Sequence, residues 1–410
     1  MKILWLSHLI PYPPKGGVLQ RAYYLIRETA KHHEVDLLAF NQKDLLKIHF
    51  ESIEDGMMEA NTELKKICQR VEFIEIPSDK HKFGKYWLAF KSLFTKDPYT
   101  INWLKSKEFR KSLMKLIHEN DYDLVHLDTI SLAPYLSEIS GLPTVLDHHN
   151  IESTMLIRRA DKEPNFLKSW YHRQEGKRLK IVEMEVCPKV SLNITCSQMD
   201  TERLKQIAPK SRIEDVPNGV DEQYFNPTVE LRHDKKLLFL GTLSWYPNIE
   251  AVNFIANELW PILKKLDSEI SFDIVGANPP DSIVSLSIED SNFRVHGFVD
   301  DIRGIFNESS IFVCPITDGG GTKLKILDAL SMGKVIIAHP IACEGIVVEN
   351  GKSVIFAETA QEYADRIVEV LLDDDYRNEL SANARAIVEC NYTNKSIGLK
   401  LSSLYESCLG

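Results

Sequence analysis

Residues 2–9 read KILWLSHL and residues 34–40 read EVDLLAF, two short apolar runs joined by a helical pattern from about Val18 to Lys31. A strand, a helix and a second strand in this order form the repeating unit of a parallel sheet. The alternation continues through DLVHLD, PTVLDHH and SLNITCS. The first half of the chain is therefore predicted to form one doubly wound α/β domain with right-handed crossovers.

A second series of apolar runs begins near Lys235 and again alternates with helical segments. Its runs are KLLFLGTL, SFDIVGA, FRVHGFV, IFVCPI, KVIIAH and SVIFA. Between the two series lies EDVPNGVDEQYFNP, whose prolines and Asn-Gly pair are turn chemistry, so the linker is predicted at about residues 216–235. We expect two Rossmann-like domains that face each other across a cleft, with ligand bound at the carboxyl ends of the strands.

Length, charge and cysteine content narrow the class of function. A chain of 410 residues exceeds what one core supports, and its net charge of -10 disfavours a nucleic-acid binder. The seven cysteines form no C-x-x-C pair, which argues against a disulfide framework or a zinc site and favours a cytoplasmic location. No apolar run is long enough to span a bilayer, so any membrane contact is expected to be peripheral, on the inner face.

Doubly wound domains also occur in dehydrogenases and in periplasmic-type binding proteins, so the loops must distinguish these classes. The first strand is followed by PYPPKGGVLQRA, which has two adjacent glycines in place of G-x-G-x-x-G. No acid ends a second strand at the spacing of a ribose contact. A nicotinamide-binding function is therefore disfavoured.

Six segments, taken together and in order, resemble glycosyltransferase family 4, which has the two-domain GT-B fold. They are PKGG, PTVLDHHN, VPNGVD, LGTL, VHGFVDD and DGGGTKLKILDALSMGK. The resemblance covers most of the chain and implies retaining transfer of a sugar from a UDP- or GDP-linked donor to a glycan, lipid-linked or small-molecule acceptor. It implies an acceptor domain over 1–222, completed by the helix 394–410, and a donor domain over 223–393. No metal or other cofactor is expected, and Asp121 and Asp123 resemble a metal-binding pair only superficially, since they lead into a strand.

The segment 318–334 is interpreted as a phosphate cradle. A departing diphosphate develops negative charge, which backbone amides, a helix N-terminus and cations stabilise. Glycine allows a close backbone approach to an anion, and the chain has three glycines here: Gly319, Gly320 and Gly321. In the helix predicted from Thr322, Lys325 and Asp328 share one face, which suits a cation for the diphosphate and a carboxyl for the ribose. The alternative is a turn and an amphipathic helix that ends at Gly333.

Two departures from the family pattern concern charged residues. The family has two glutamates separated by seven residues; the second matches Asp328, the first falls on Gly320, and Asp318 is the candidate substitute. Many members also carry an Arg and a Lys in the segment that reads GTLSWYPN here, at positions taken by Thr242 and by Pro247 or Asn248. Lys325, with Lys323 beside it, is therefore expected to supply the missing positive charge.

The resemblance extends donor contacts to four loops. The full set of donor-binding candidates is Gly16, Gly17, Gly241, Thr242, Gly297, Phe298, Val299, Gly319, Gly320, Gly321, Thr322, Lys323, Leu324 and Asp328. Ordinary strand-to-helix turns are the alternative explanation for these loops. Lys15 and Arg21 are either phosphate contacts or solvated surface cations. Asn218 and Gly219 match the hinge turn of the family.

The segment PTVLDHHN ends a predicted strand with adjacent histidines, of which at most one can point into the cleft. The active-site histidine of the family lies six positions after the proline, which selects His149. Lys325 and Asp318, from the glycine-rich segment, are the other catalytic candidates. His148 is the reserve. Arg21, Asn150 and His126 are candidates for the acceptor side or for a supporting role, and a buried structural role is equally open for His126.

Two stretches combine cations with aromatic residues in an otherwise acidic chain. Residues 158–180 hold eight Lys and Arg against three acids, and residues 80–99 read KHKFGKYWLAFKSLFTKDPY. Such mixtures suit an anionic membrane surface or a lipid-phosphate acceptor. The alternative is two solvated helices whose aromatic sides face the core.

Two rival functions remain at this stage. A nucleotide-sugar epimerase on the same fold would convert the donor without an acceptor. A protein that binds sugar nucleotides but has lost catalysis would explain the missing first glutamate and the missing Arg and Lys.

Overall fold

Two parallel sheets organise the computed structural model, which describes residues 1–15, 17–227, 234–318 and 321–409. The chain divides into two compact units. Unit 1 comprises Met1–Pro217 and Lys395–Gly410, and unit 2 comprises Asn218–Asn394. The division after Pro217 lies inside the segment predicted as a linker and five residues before the predicted boundary at 222. Residues 228–233 of that segment lie outside the described ranges.

Unit 1 is built on seven parallel strands. They are β1 Lys2–Ser7, β2 Glu34–Asn41, β3 Arg70–Glu75, β4 Leu124–Leu127, β5 Thr144–His148, β6 Leu192–Thr195 and β7 Ile213–Asp215. Their order in the sheet is β3-β2-β1-β4-β5-β6-β7. The central strands are almost completely buried, as expected for a sheet that helices cover on both faces.

Helices connect these strands and cover the sheet of unit 1. They are α1 Gly17–Ala30, α2 Lys43–Leu46, α3 Ile53–Leu64, α4 Gly84–Ser92, α5 Tyr99–Asn102, α6 Lys107–Glu119, α7 Glu152–Lys162, α8 Phe166–Val186 and α9 Gln198–Ile207. Short 3-10 turns occur at Pro77–Lys80, Ile130–Tyr135 and Cys187–Lys189. Helix α1 begins and ends one residue earlier than the sequence pattern predicts.

Unit 2 repeats the architecture on six parallel strands. They are β8 Lys236–Leu240, β9 Ser271–Val275, β10 Phe293–Val295, β11 Ile311–Cys314, β12 Val335–Ala338 and β13 Ile355–Phe356, in the order β10-β9-β8-β11-β12-β13. The helices are α10 Tyr246–Phe254, α11 Trp260–Leu266, α12 Asp281–Glu289, α13 Arg303–Glu308, α14 Leu324–Ser331, α15 Ala360–Leu372 and α16 Asp374–Asn391. A π-helical turn, Ile255–Leu259, joins α10 to α11, and Pro340–Cys343 is a 3-10 turn.

Helix α14 begins at Leu324, two residues later than predicted, because Lys323 is still extended and serves as its N-cap. Its C-terminal end follows the prediction: Gly333 adopts a φ of +59°, a conformation that glycine accepts without strain and that commonly ends helices.

The last helix, α17 Asn394–Glu406, belongs to unit 1 from Lys395 onward. It approaches α1 so closely that a β-carbon on Gly398 would collide with the side chain of Glu28. The Tyr405 hydroxyl lies 2.7 Å from Nδ1 of His126, and Lys400 pairs with Asp215 at 2.8 Å. A chain cut near residue 393 would therefore expose the core of unit 1.

Each sheet has one point where the strand order reverses. In unit 1 it lies between β1 and β4, and in unit 2 between β8 and β11. Loops leave the two strands in opposite directions at such a point, which opens a crevice at the carboxyl ends where α/β proteins bind ligands. The functional residues should therefore follow these four strands.

The aromatic sides of the two cation-rich stretches do not all face the core, so that interpretation is wrong for α4 and for the start of α8. Trp87, Phe90, Phe166 and Trp170 are all exposed large hydrophobic residues. No helix in the described part of the chain has the length and apolar character needed to cross a bilayer.

Candidate active site

The loop after β8 and the helix after β11 bring a cation and a glycine together at the switch point of unit 2. Lys325 Nζ donates a hydrogen bond to Asn248 Oδ1 at 2.7 Å and lies 4.9 Å from the centre of the Phe239 ring. Asn248 Nδ2 donates to the carbonyl of Thr242 at 2.8 Å. A β-carbon on Gly241 would collide with the Lys325 ammonium group and the Asn248 amide, so these side chains would have to shift if any other residue stood there.

We call Gly241, Asn248, Lys325 and Asp328 the lysine site. Burial lowers the pKa of Lys325 to about 8. Burial also raises the pKa of Asp328 to about 8, although the charge on Lys325 acts in the opposite direction. At pH 7 the ammonium group is therefore mostly charged and the carboxyl group mostly neutral, which leaves the lysine site positive.

The carboxyl group of Asp328 has unusual freedom for a group so little exposed. The residue is only 9% exposed, yet among the described residues no hydrogen bond or ion pair engages its carboxyl oxygens. Buried polar groups in proteins are nearly always satisfied, and exceptions often mark places where a ligand supplies the partner. Asp328 can thus accept or donate a hydrogen bond to a bound hydroxyl group.

The loop that precedes α14 carries further predicted residues. Gly321 has a φ of +65°, in the region that glycine favours, and its carbonyl accepts a hydrogen bond from Lys323 Nζ at 3.3 Å. Asp318 is nearly buried, and its carboxylate accepts a hydrogen bond from the Tyr246 hydroxyl at 2.8 Å. Thr322 and Leu324 complete the approach to the helix. Gly319 and Gly320 lie outside the described residues.

The loops after β9 and β10 support the lysine site from one side. A β-carbon on Gly276 would collide with the carbonyl oxygen of Gly241, and the Gly276 amide donates to the carbonyl of Gly297 at 2.8 Å. Gly297 has a φ of +63° with open space beside its Cα. Phe298 is exposed and Val299 packs on the core of unit 2.

At the switch point of unit 1, Asp128 organises the residues that follow β1. Its carboxylate accepts hydrogen bonds from Ser7 Oγ at 2.6 Å, from the His8 amide at 3.0 Å and from His8 Nδ1 at 2.9 Å. Burial alone would lower the pKa of His8, but Asp128, together with the charges of Glu152 and Asp147, outweighs burial, so the pKa is raised. The His8 ring meets the His149 ring edge-on, with 5.6 Å between centroids.

His149 lies just beyond the end of β5, with a side chain that is 10% exposed and Nε2 3.9 Å from Asp147 Oδ2. Burial, followed by the charges of Arg21 and His8, lowers its pKa to about 3, so the ring is neutral at physiological pH. We call His8, Arg21, Asp128, Asp147 and His149 the strand-end cluster.

The structure corrects both interpretations of Arg21. Its guanidinium group is buried and binds Asp147 through Nε at 2.9 Å and Nη2 at 2.8 Å, and Nη1 donates to the carbonyl of Val216 at 2.8 Å. It is therefore neither a phosphate contact nor a solvated surface cation. Arg21 instead fixes the Asp147 carboxylate, which lies beside His149.

The other predicted histidines are enclosed. His148 Nε2 donates to Asn193 Oδ1 at 3.2 Å inside unit 1. His126 is fully buried, stacks on Trp5 at 3.7 Å between ring centroids and hydrogen-bonds with Tyr405, which favours the structural alternative. Asn150 is partly buried after β5, and Gly17 begins α1 on the surface.

Several residues at these sites were not among the predicted ones. They are His8, Asp128, Asp147, Tyr246 and Gly276. The first three lie within one residue of the carboxyl ends of β1, β4 and β5, and Gly276 directly follows β9. Inspection of every strand end for polar residues and glycine would have found these four, because parallel sheets place their functional groups there.

Two Rossmann-like sheets, each with a polar site at its switch point, match the two-domain GT-B fold of glycosyltransferases. Residues 15–224, a little over half of the chain, match the model of Glycosyltransferase Family 4, and residues 234–373 match that of Glycosyl transferases group 1. The chain belongs to glycosyltransferase family 4.

Three similar proteins match this chain over nearly its whole length. An uncharacterised 44.6 kDa protein of the cps region of Klebsiella pneumoniae is 23% identical over 407 residues, 97% of each chain. HepE of Anabaena, solved in complex with UDP, is 17% identical with a TM-score of 0.68 and covers 99% of this chain and 100% of its own. Sucrose-phosphate synthase of Thermosynechococcus elongatus is 14% identical with a TM-score of 0.71 and 99% coverage of each chain. At these identities, the solved structures show the fold alone.

Proposed function

We propose that the protein is a retaining glycosyltransferase that moves a sugar from a nucleotide-diphosphate sugar to a glycan, lipid-linked or small-molecule acceptor. HepE was solved with UDP and with UDP-glucose, which supports a UDP-linked donor for this chain. The relative from a cps region supports a role in polysaccharide synthesis.

The observation that carries the proposal is the position of the Lys325 ammonium group. It lies at the switch point of unit 2 and binds Asn248, in the segment where many family members carry basic residues. Lys325 thus places a positive charge beside the segment GTLSWYPN, which contains no Lys or Arg of its own. Gly241 leaves the space that this arrangement needs. A departing diphosphate at this point would gain charge stabilisation and hydrogen bonds.

Asp328 is assigned to the ribose. A carboxyl group that is mostly neutral in the free protein adds no repulsion against a diphosphate, and its unpaired oxygens can engage sugar hydroxyls. The cradle of Gly321 and the start of α14 is assigned to the phosphates, and Asp318 to the transferred sugar in place of the missing first glutamate.

His149 is assigned to orientation of the transferred sugar. A ring that stays neutral down to low pH is a weak base but can still donate and accept hydrogen bonds. This fits same-face substitution, in which the departing diphosphate accepts the proton of the acceptor hydroxyl. The C1–O bond to the diphosphate breaks, the C1–O bond to the acceptor forms, and the proton leaves on the phosphate oxygen.

Substitution of Lys325 by alanine tests the proposal. Loss of one partner from a buried, charge-assisted contact costs about 2–5 kcal/mol, so we expect affinity for UDP to fall by at least about 30-fold. Calorimetry with UDP and turnover of a panel of UDP- and GDP-sugars measure the effect. The control is Lys236→Ala, which removes a lysine of the same unit that pairs with Glu308 at the opposite end of β8.

A Lys325→Ala protein that binds UDP and turns over donor like the wild type contradicts the assignment. Product analysis separates the rivals. An epimerase converts the donor to an equilibrium mixture of epimers without acceptor, and a protein that only binds sugar nucleotides shows affinity without transfer to any acceptor. NMR of the anomeric configuration of the product tests retention.

A further inference from the structure

Helix α4 and its flanks present an aromatic stripe to solvent. Its members recur at the three- and four-residue spacing that places side chains on one face of a helix. They are Phe83, Tyr86, Trp87, Phe90 and Phe94, and each is between 54% and 77% exposed. A surface helix normally turns such a stripe toward the core. Here the stripe points away from it.

The stripe is a contiguous surface. The rings of Trp87 and Phe90 stack at 5.9 Å between centroids, and those of Phe90 and Phe94 meet edge-on at 5.3 Å. Monomeric proteins seldom expose large apolar patches without a function for them. The aromatic face is therefore a candidate for an interaction surface.

Contacts on a different face of α4 fix this orientation. A β-carbon on Gly84 would collide with the carbonyl of Ser78, so the start of the helix lies directly against the preceding turn. At the other end, buried Ser92 accepts hydrogen bonds from Asn102 Nδ2 at 3.1 Å and, through its carbonyl, from Arg178 Nη1 at 2.9 Å. The small residues of α4 thus pack on unit 1 and direct the large aromatic residues outward.

Lysines border the aromatic face. Lys82, Lys91 and Lys96 are exposed, and among the described residues no acid forms an ion pair with them. Lys82 Nζ lies 5.9 Å from the centre of the Phe83 ring. This local positive charge stands in a chain whose net charge is -10.

We propose that the aromatic face of α4, with Lys82, Lys91 and Lys96, docks the protein on an anionic bilayer surface. Trp and Tyr favour the boundary between headgroups and acyl chains, and lysines beside them attract anionic lipids. A symmetric contact between two copies would bring the same lysines together, which electrostatic complementarity opposes. Lysine is also depleted at the centre of protein interfaces. The inference is independent of the transfer chemistry.

Sedimentation with vesicles tests the proposal on the full chain. We expect binding to vesicles of phosphatidylcholine with 30% phosphatidylglycerol and little binding to phosphatidylcholine alone. Trp87→Glu with Phe90→Glu should weaken partition by about tenfold or more, because two large apolar side chains no longer leave water. Substitution of each lysine by glutamine should weaken it by about fivefold. Ile288→Glu, at another exposed apolar residue, is the matched control and should bind like the wild type.

A second measurement locates the contact. Trp87→Phe should keep most of the binding but lose the part of the blue shift in tryptophan emission that vesicles cause in the wild type. Absence of binding to anionic vesicles overturns the proposal, and so does equal binding by the Trp87→Glu, Phe90→Glu variant with unchanged thermal stability. The proposal is also overturned if sedimentation velocity shows a dimer that these two substitutions dissociate, because the aromatic face would then bind a second copy of the protein.

Discussion

The strand-end cluster of unit 1 and the lysine site of unit 2 lie at equivalent positions, each at the switch point of a parallel sheet, but they differ in how their charges are paired. In unit 1, Arg21 binds Asp147 through two nitrogens, and Asp128 accepts three hydrogen bonds. In unit 2, Lys325 binds the neutral amide of Asn248, and no ion pair engages it or Asp328 among the described residues.

The buried charges of unit 1 are paired with each other, whereas the buried lysine of unit 2 has no opposite charge paired with it among the described residues. A buried charge without an opposite charge lowers the stability of the free protein, and proteins retain such groups where a ligand supplies the compensation. The charges of unit 1 hold one another, and those of Arg21 and His8 help to keep His149 neutral. The lysine site keeps its positive charge available, which suits a diphosphate.

The largest effect on stability is expected when the buried ion pair of unit 1 is broken. Arg21→Met leaves the Asp147 carboxylate buried without its cation, which typically costs about 3–5 kcal/mol of unfolding free energy. Urea unfolding followed by circular dichroism measures the loss. Arg303→Met removes an ion pair with Asp301 on the surface of unit 2 and should change the transition little.

The double variant Arg21→Met, Asp147→Leu adds a second comparison. Replacement of both partners removes the uncompensated charge, so this protein should be more stable than Arg21→Met alone. Equal losses in Arg21→Met and Arg303→Met would show that the buried pair does not support unit 1, and the contrast between the sites would then fail.

The next effect concerns the pH dependence of nucleotide-sugar binding at the lysine site. Below pH 8 the Lys325 ammonium group is present and Asp328 is mostly neutral; above pH 8 the cation is lost and the carboxylate forms. Both changes make the site less positive as pH rises. Deprotonation of each group should weaken binding of the nucleotide sugar by about tenfold between pH 7 and pH 9, since only the protonated form of each favours the anion.

Calorimetry at several pH values measures this dependence. Lys325→Arg keeps a positive charge throughout the range and should remove one of the two contributions, and Asp328→Asn should remove the other. The double variant controls for titration of the nucleotide itself and should show the flattest profile. The same slope in all four proteins would mean that these two groups do not set the charge of the site.

The sequence predicted the fold in more detail than the site. Each of the eleven apolar runs noted in the sequence forms a strand, because a buried parallel strand is apolar along its whole length. The two strands missed, β3 and β7, lie at the edges of the sheet of unit 1. Their sequences, RVEFIE and IED, carry charges that an edge tolerates and an apolar pattern does not show.

Contacts between distant residues could not be read from local patterns. The sequence indicated that Lys325 should replace missing cations, but Asn248, its partner, lies 77 residues away. Arg21 resembled a phosphate contact because it follows a glycine loop, and its partner Asp147 lies 126 residues away. Pattern and spacing constrain one element at a time, while these pairs form only when several strands assemble.

The smallest effect is expected from a change in the hydrogen bond that Asp318 accepts in unit 2. Tyr246→Phe removes the hydrogen bond to this carboxylate and should cost about 0.5–1.5 kcal/mol, which corresponds to a fall in kcat of about twofold to tenfold. If Asp318 contacts the transferred sugar, kcat should fall while the affinity for UDP stays unchanged, because the nucleotide is held by the lysine site. Tyr376→Phe, which removes a hydroxyl contact to the carbonyl of Gly351 in the same unit, is the control. A matching change in kcat for both variants would remove Asp318 from the reacting groups, and a fall in UDP affinity alone would assign it to the nucleotide.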